Sequence, residues 1–154
     1  MARHLETEAE VRSAAFALLA RREYSRAELT QKLSRKCENT DLLQQVLNQF
    51  AAEGYQSDER FAHLFVRSRC NAGYGAMRIR QELRQKGVES DVIEQAMVDE
   101  GIDGYRQALE SCQRRFGDQP PGDPKEYARR MRFLVNRGFS FEDAKRAIQS
   151  KESE

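Results

Sequence analysis

Seven cations crowd one stretch of this chain, Arg60, Arg67, Arg69, Arg78, Arg80, Arg84 and Lys86, with Tyr74 at a turn flanked by Gly73 and Gly75. Six of the seven are arginines, whose planar fork of N–H donors matches phosphate or carboxylate oxygens two at a time. Residues 60–86 hold seven basic groups and one acidic group, whereas residues 1–59 hold eight and ten and residues 87–154 hold eleven and fourteen. A chain of net charge +1 therefore carries a local basic band between mildly acidic flanks, the footprint of a protein that grips a polyanion at one place. Arg80 and Arg84, four apart, share one stripe of a helix, and Tyr74 supplies a ring on which a base can stack. The competing reading is a solvated face whose arginines pair with the acidic flanks, and charge counts alone favour it. Tyr74 has a counterpart in Tyr24, so packing is its first expected role.

Other chemistry finds no matching pattern. The chain has no GxxxxGK[ST] phosphate loop, no GxSxG and no HExxH, and the GYG cluster at 73–75 is too short to cradle phosphates. Neighbouring carboxylates such as Asp58 with Glu59 or Glu142 with Asp143 fall at helix starts, where they complement the helix dipole. His4 and His63 are the only histidines, and Cys37, Cys70 and Cys112 are odd in number and widely spaced. Neither a metal site, a cofactor nor a disulfide framework is expected, and the chain reads as a non-enzyme.

The elements that must position these residues are repeated. Tyr24 to Lys36 reads YSRAELTQKLSRK and, fifty positions on, Tyr74 to Lys86 reads YGAMRIRQELRQK. The register continues with Asp41, Leu42, Leu43, Gln45, Val46 and Leu47 against Asp91, Val92, Ile93, Gln95, Ala96 and Met97. At an offset of fifty-one a weaker third copy sets Leu134, Arg137, Gly138, Phe139, Glu142, Ala144, Ala147 and Ile148 against Leu83, Lys86, Gly87, Val88, Asp91, Ile93, Ala96 and Met97. Upstream the match slips, and Arg130 falls opposite Ile79. Repetition at this period describes small helical modules that bury their apolar stripes on one another and leave an extended surface free.

Prolines occur only at 120, 121 and 124 and β-branched residues are sparse, so the expected class is all-α. Residues 1–56, 57–102 and 103–154 divide into three tandem three-helix repeats. In the first, a helix from about Glu8 to Arg22 carries Ala14, Ala15, Leu18 and Leu19. A second opens on the capping box Ser25 to Glu28 and turns Leu29 and Leu33 inward, and a third capped by Asn39 or Thr40 carries Leu42, Leu43, Val46, Leu47 and Phe50 to Gly54. In the second repeat, Ser57 caps a helix bearing Phe61, Ala62, Leu64, Phe65 and Val66. Ile79 and Leu83 mark the next helix, ending at Gly87, and Ser90 caps one with Val92, Ile93, Ala96 and Met97. Two helices joined by a short turn also suit a helix-turn-helix reader, but the basic charge extends beyond any single recognition helix. In the third repeat, beyond Gly101 and Gly104, a helix bears Tyr105, Ala108, Leu109, Cys112 and Phe116. Asp123-Pro124-Lys125-Glu126 reads as N-cap, proline at the first helical position and glutamate at the third, and Ser140 with Asp143 caps the last helix, with Lys151 to Glu154 fraying.

With 154 residues, 39% hydrophobic and 33% charged, the chain is about one ordinary domain in size with thin helix-lined cores. No apolar run approaches the roughly twenty residues that cross a bilayer. A cytoplasmic monomer is expected, since each apolar stripe has a neighbouring repeat to bury it.

YSRAELTQKL at 24–33, DERFAHLFVRSR at 58–69 and GYGAMRIRQELRQKGV at 73–88 resemble the signature segments of the bacterial RecX regulatory proteins. RRMRFLVNRGFSFEDAKRAI at 129–148 follows the same pattern more loosely, and Cys37 and Glu38 stand where the second repeat has Gly87 and Val88. The resemblance implies three tandem three-helix repeats in an elongated, curved molecule. It implies as partner the RecA recombinase filament on single-stranded DNA, whose ATPase, strand-exchange and coprotease activities such proteins restrain, and hence a role in recombination, repair and the SOS response. Charge and spacing, rather than any family rule, make Arg67, Arg69, Arg78, Arg80, Arg84, Lys86 and Tyr74 the expected contacts to RecA carboxylates or DNA phosphate. A stand-alone DNA-binding module and a protein adaptor indifferent to DNA are the alternatives.

Overall fold

The computed structural model describes residues 4–149, and the regular structure among them is helical throughout: α1 (Glu8–Leu19), α2 (Arg26–Ser34), α3 (Thr40–Ala52), α4 (Asp58–Asn71), α5 (Ala76–Gln85), α6 (Ser90–Asp99), α7 (Gly104–Phe116), α8 (Pro124–Asn136) and α9 (Phe141–Gln149). These fall into the three sets of three that the repeat requires. The expected fraying of Lys151 to Glu154 lies outside the described residues.

Short polar caps start the helices where the sequence places them. Ser25 accepts a hydrogen bond from the Glu28 amide at 3.1 Å while the Glu28 carboxylate accepts one from the Ser25 amide at 3.0 Å, closing the capping box. Asn39, Ser57, Asp123 and Ser140 cap in the same way, each side-chain oxygen accepting the amide three residues on. Four local expectations need correction. α1 stops at Leu19, short of Arg22, and begins with an additional capping box between Thr7 and Glu10. Ser90 is the first helical residue of α6 rather than its cap, and the Ile93 amide bonds to the Glu89 carbonyl. Gly104 lies within α7, which Asp103 caps. Leu64 is 44% exposed, because it sits two residues from the buried Ala62 and Val66 and so points off their stripe.

By contacts the chain divides into two compact units, Met1–Ala62 with Arg84–Ile93, and His63–Leu83 with Glu94–Glu154. The division runs through α4, α5 and α6, so the compact units do not coincide with the sequence repeats. The first unit packs α1 and α2 on α3 around Val11, Ala15, Leu29, Leu33, Leu43 and Phe50, each contributing about 1.5–3 kcal/mol on full burial if large and aliphatic or aromatic. In the second unit α9 packs on α7 and α8, with Ala108, Cys112, Leu134, Phe139, Ala144 and Ile148 at the centre.

One junction occurs twice. At the head of α2, Ser25 Oγ donates to the Lys86 carbonyl at 2.7 Å, just after α5. At the head of α5, the Gly75 amide donates to the Arg137 carbonyl at 2.8 Å and the Met77 amide to the Gly138 carbonyl at 3.0 Å, just after α8. Ser25 and Gly75 are equivalent positions, as are Lys86 and Arg137. The second copy is tighter. A Cβ on Gly75 would fall on the Gly138 carbonyl carbon, with Gly138 O and Phe139 N at 2.5 Å, so serine does not fit there.

The slip in the third copy has a structural origin. α8 has 13 residues where α5 has 10 and α2 has 9, and its extra turn lies at the N-terminal end. Arg130 nonetheless occupies the core position of Ile79, only 6% exposed. Its Nε donates to Glu126 at 2.9 Å and its Nη1 to the Gln119 carbonyl at 2.8 Å, so the buried cation is satisfied.

Candidate functional site

Tyr74 stands at the N-terminal side of α5 with its ring enclosed by cations: the guanidinium carbons of Arg69, Arg78 and Arg137 lie 4.0, 4.5 and 4.7 Å from its centroid. Each such contact is worth about 0.5–1 kcal/mol at an exposed site. The ring is thus a post that gathers arginines from α4, α5 and the end of α8. Its counterpart Tyr24 is buried and, among the described residues, carries a single close guanidinium, Arg22 at 3.6 Å. Both tyrosines serve the module, and the second has additionally become a hub for charge.

The arginines of α4 and α5 all face carboxylates except one. Arg69 donates through Nε and Nη2 to the two oxygens of Glu82 at 2.9 and 3.0 Å, and Arg78 Nε donates to the same carboxylate at 3.1 Å. Burial opposes ionisation of Glu82, but the two arginines outweigh it and hold the carboxyl below its ordinary range. Arg67 makes a two-pronged pair with Glu100 at 3.0 and 2.9 Å, and that hydrogen bonding is the main reason Glu100 is also held low. Arg80 pairs in the same fashion with Glu94 at 2.7 and 3.1 Å. Lys86 Nζ donates to Glu28 at 3.2 Å, and Arg60 Nε to Glu23 at 2.7 Å. Arg84 is exposed and has no carboxylate partner among the described residues.

The structure therefore brings Arg69, Arg78 and Tyr74 together around Glu82 and sends Arg67 and Arg80 to separate glutamates. Arg84 and Lys86 belong to the other compact unit. Four of the five glutamates that meet the band, Glu23, Glu28, Glu94 and Glu100, come from the acidic flanks. Sequence reasoning missed Arg137, which joins the Tyr74 hub, and the pair Arg114-Arg115 of α7. Arg137 was readable as the third-copy equivalent of Lys86. Arg114 and Arg115 were hidden in a region whose summed charge is acidic.

The described residues include no group of three His, Cys, Asp or Glu that could hold a metal ion, and no helix long and apolar enough to cross a membrane. Burial and the nearby Glu100 charge push the Cys70 thiol up to about 11, which leaves it almost entirely protonated at neutral pH. The geometry offers cations, hydrogen-bond donors and helix faces, the means of binding.

Three family models match the chain in order: RecX, first three-helix domain, over residues 12–50; RecX, second three-helix domain, over 57–97; and RecX, third three-helix domain, over 102–148. The chain belongs to the RecX family. A regulatory protein RecX from Chromohalobacter salexigens is 47% identical over 141 residues, covering 92% of each chain. Another from Pseudomonas entomophila is 40% identical over 148 residues, covering 96% of each. The crystal structure of RecX from Lactobacillus salivarius superposes with a TM-score of 0.76 over 94% of this chain and 96% of that one, at 19% identity, which speaks for the fold. A regulatory role follows from membership. In RecX terms the arginine band lies in the second three-helix domain, while Arg114, Arg115 and Arg137 lie in the third.

Proposed function

We propose that the chain binds the RecA filament on single-stranded DNA and inhibits its ATPase, strand-exchange and coprotease activities, using the arginine face of α4 and α5. The observation that carries this reading is the match to all three RecX domains along one chain, beside relatives whose names mark them as regulatory proteins. The ion pairs of the face support it physically. Exposed pairs of this kind are screened by water and contribute little, so RecA carboxylates or DNA phosphates can take the place of Glu94 or Glu100 at little cost. Arg67 and Arg80 then present to a partner the same two-pronged geometry that they now show to their own glutamates. Arg84, already unpaired, needs no exchange.

The test is RecA's ATPase on single-stranded DNA, measured with the chain added over a range of molar ratios. Inhibition is expected, and it should be lost in Arg80→Glu/Arg84→Glu while helical content by circular dichroism stays unchanged. An ATPase indifferent to the chain at saturation refutes the function. Full inhibition by the double variant refutes the site. Inhibition at a small molar ratio means action at filament ends, and a need for near-saturation means coating.

A further inference from the structure

A second cationic feature adjoins the arginine band, sharing Arg137 with the Tyr74 hub. The α4–α5 turn, α7 and the end of α8 enclose a cleft of about 200 Å³, several times the roughly 30 Å³ share of one water molecule. Arg114, Arg115 and Arg137 line it, and no carboxylate does. Unlike Arg67, Arg69, Arg78 and Arg80, which each face a glutamate, none of these three has a carboxylate partner among the described residues. Gly73 forms one wall: a Cβ placed there would meet Ser111 Oγ at 3.2 Å, Arg114 Nη1 at 3.6 Å and Arg137 Nη1 at 3.7 Å, so guanidinium groups from α7 and from the residue after α8 converge on one point. The ring of Phe133 holds two of the cations, with the Arg115 and Arg137 guanidinium carbons 5.3 and 5.0 Å from its centroid.

Like charges gathered without an acid repel one another, and an anion seated among them relieves that repulsion. The hydrogen-bonding inventory says which anion. The Ala72 carbonyl already accepts from Arg137 Nη1 at 3.3 Å, and the Gly73 carbonyl from Ser111 Oγ at 3.0 Å. The cleft thus offers three guanidinium groups as donors and few acceptors, its nearby carbonyls each having one lone pair already engaged. A DNA backbone, whose phosphate and ether oxygens only accept, satisfies such a surface, whereas an acidic peptide brings amide donors for which it offers few acceptors. The concave shape suits a strand able to bend into it.

We propose that this cleft is a phosphate-binding site for the backbone of single-stranded DNA, held by Arg114, Arg115 and Arg137. It acts on DNA directly and does not depend on RecA. The experiment is fluorescence anisotropy of a labelled oligothymidylate titrated with the full chain, without RecA, over graded salt. Arg114→Gln/Arg115→Gln removes two exposed cations, and Arg21→Gln/Arg35→Gln, exposed cations of the other compact unit, is the control of equal charge. Each phosphate contact on a single strand contributes about 0.7 to the slope of log affinity against log salt, so the cleft variant should flatten it by about 1.4 and bind roughly 25-fold more weakly at about 0.1 M salt. The control should change much less. Equal losses in both variants, or no binding by the unaltered chain, overturn the site. Displacement of the oligonucleotide by polyglutamate at equal charge concentration makes the cleft a carboxylate receptor and overturns the phosphate assignment. Equal affinity for a blunt duplex overturns the single-strand assignment. Because RecA is absent, failure here leaves the ATPase test of the RecA reading untouched.

Discussion

Adding one methyl group at Gly75 should damage this protein out of proportion to its size. The φ of Gly75 is not in the left-handed region, so alanine there carries no backbone penalty and the effect is steric alone. The new Cβ would land on the Gly138 carbonyl carbon with Gly138 O and Phe139 N at 2.5 Å, and backbone cannot swing aside as a side chain can. Relief requires the start of α5 to back away from the turn after α8, which stretches the Gly75–Arg137 and Met77–Gly138 hydrogen bonds at 2.8 and 3.0 Å. Overpacking costs about 1–3 kcal/mol. Two hydrogen bonds add about 0.5–1.5 kcal/mol each. The lower entropy of the unfolded alanine chain returns about 0.4–1 kcal/mol. The net loss is about 2–5 kcal/mol, or roughly 5–15 °C in Tm for a chain of this length. Gly54→Ala is the comparison: Gly54 has φ 83° and nothing within 4 Å of its added Cβ, so a left-handed backbone cost of about 1–2 kcal/mol applies, offset by the same entropy return, with no steric contact. Urea denaturation followed by circular dichroism measures both. A Gly75→Ala loss no larger than that of Gly54→Ala refutes the close-contact account of the junction.

Arg130→Ala strips a buried guanidinium from the Gln119 carbonyl and Glu126 and should cost about 2–3 kcal/mol, whereas Arg130→Met restores an apolar stem at the position of Ile79 and should stay within about 1.5 kcal/mol of the parent in the same urea assay. Glu28 is buried against its own ionisation, yet the Ser25 amide and the cations of Arg22 and Lys86 hold its carboxyl low, as Arg69 and Arg78 do for Glu82. Folded values below the unfolded value of about 4.3 mean that this stability is complete above that pH and disappears as pH falls through the folded values. Urea midpoints should therefore drop on acidification below about pH 4, and drop less in Glu28→Gln/Glu82→Gln than in the parent. The Cys70 thiol, pushed up to about 11, should react with a disulfide reagent at about pH 8 roughly 100-fold more slowly than free cysteine, with Cys37 and Cys112 slower again because they are buried.

Much of the fold was legible because helical signals are local. Leu29, Leu33, Ile79 and Leu83 lie inward as their four-residue spacing requires, and Ser25, Asn39, Ser57, Asp123 and Ser140 cap because a short side-chain oxygen reaches the amide three residues on. Arg130 shows where such reading stops. Its type argues for the surface, and only the Gln119 carbonyl, brought beside it by the loop before α8, together with Glu126 one turn back on α8 itself, makes it a core residue. The arginine band shows the same limit for the site. Its existence is a count along the chain, but which arginine is neutralised depends on glutamates up to 37 residues away in sequence.

Composition and periodicity by themselves determined an all-helical chain of three repeated modules, because these depend on patterns within one repeat length. Tertiary structure alone decided which charges remain free. It paired Arg67, Arg69, Arg78 and Arg80 with carboxylates and left Arg114, Arg115 and Arg137 facing one another across a cleft without an acid. The reason is that electrostatic partnership acts through space: a net charge is a property of composition, whereas an uncompensated charge is a property of neighbours.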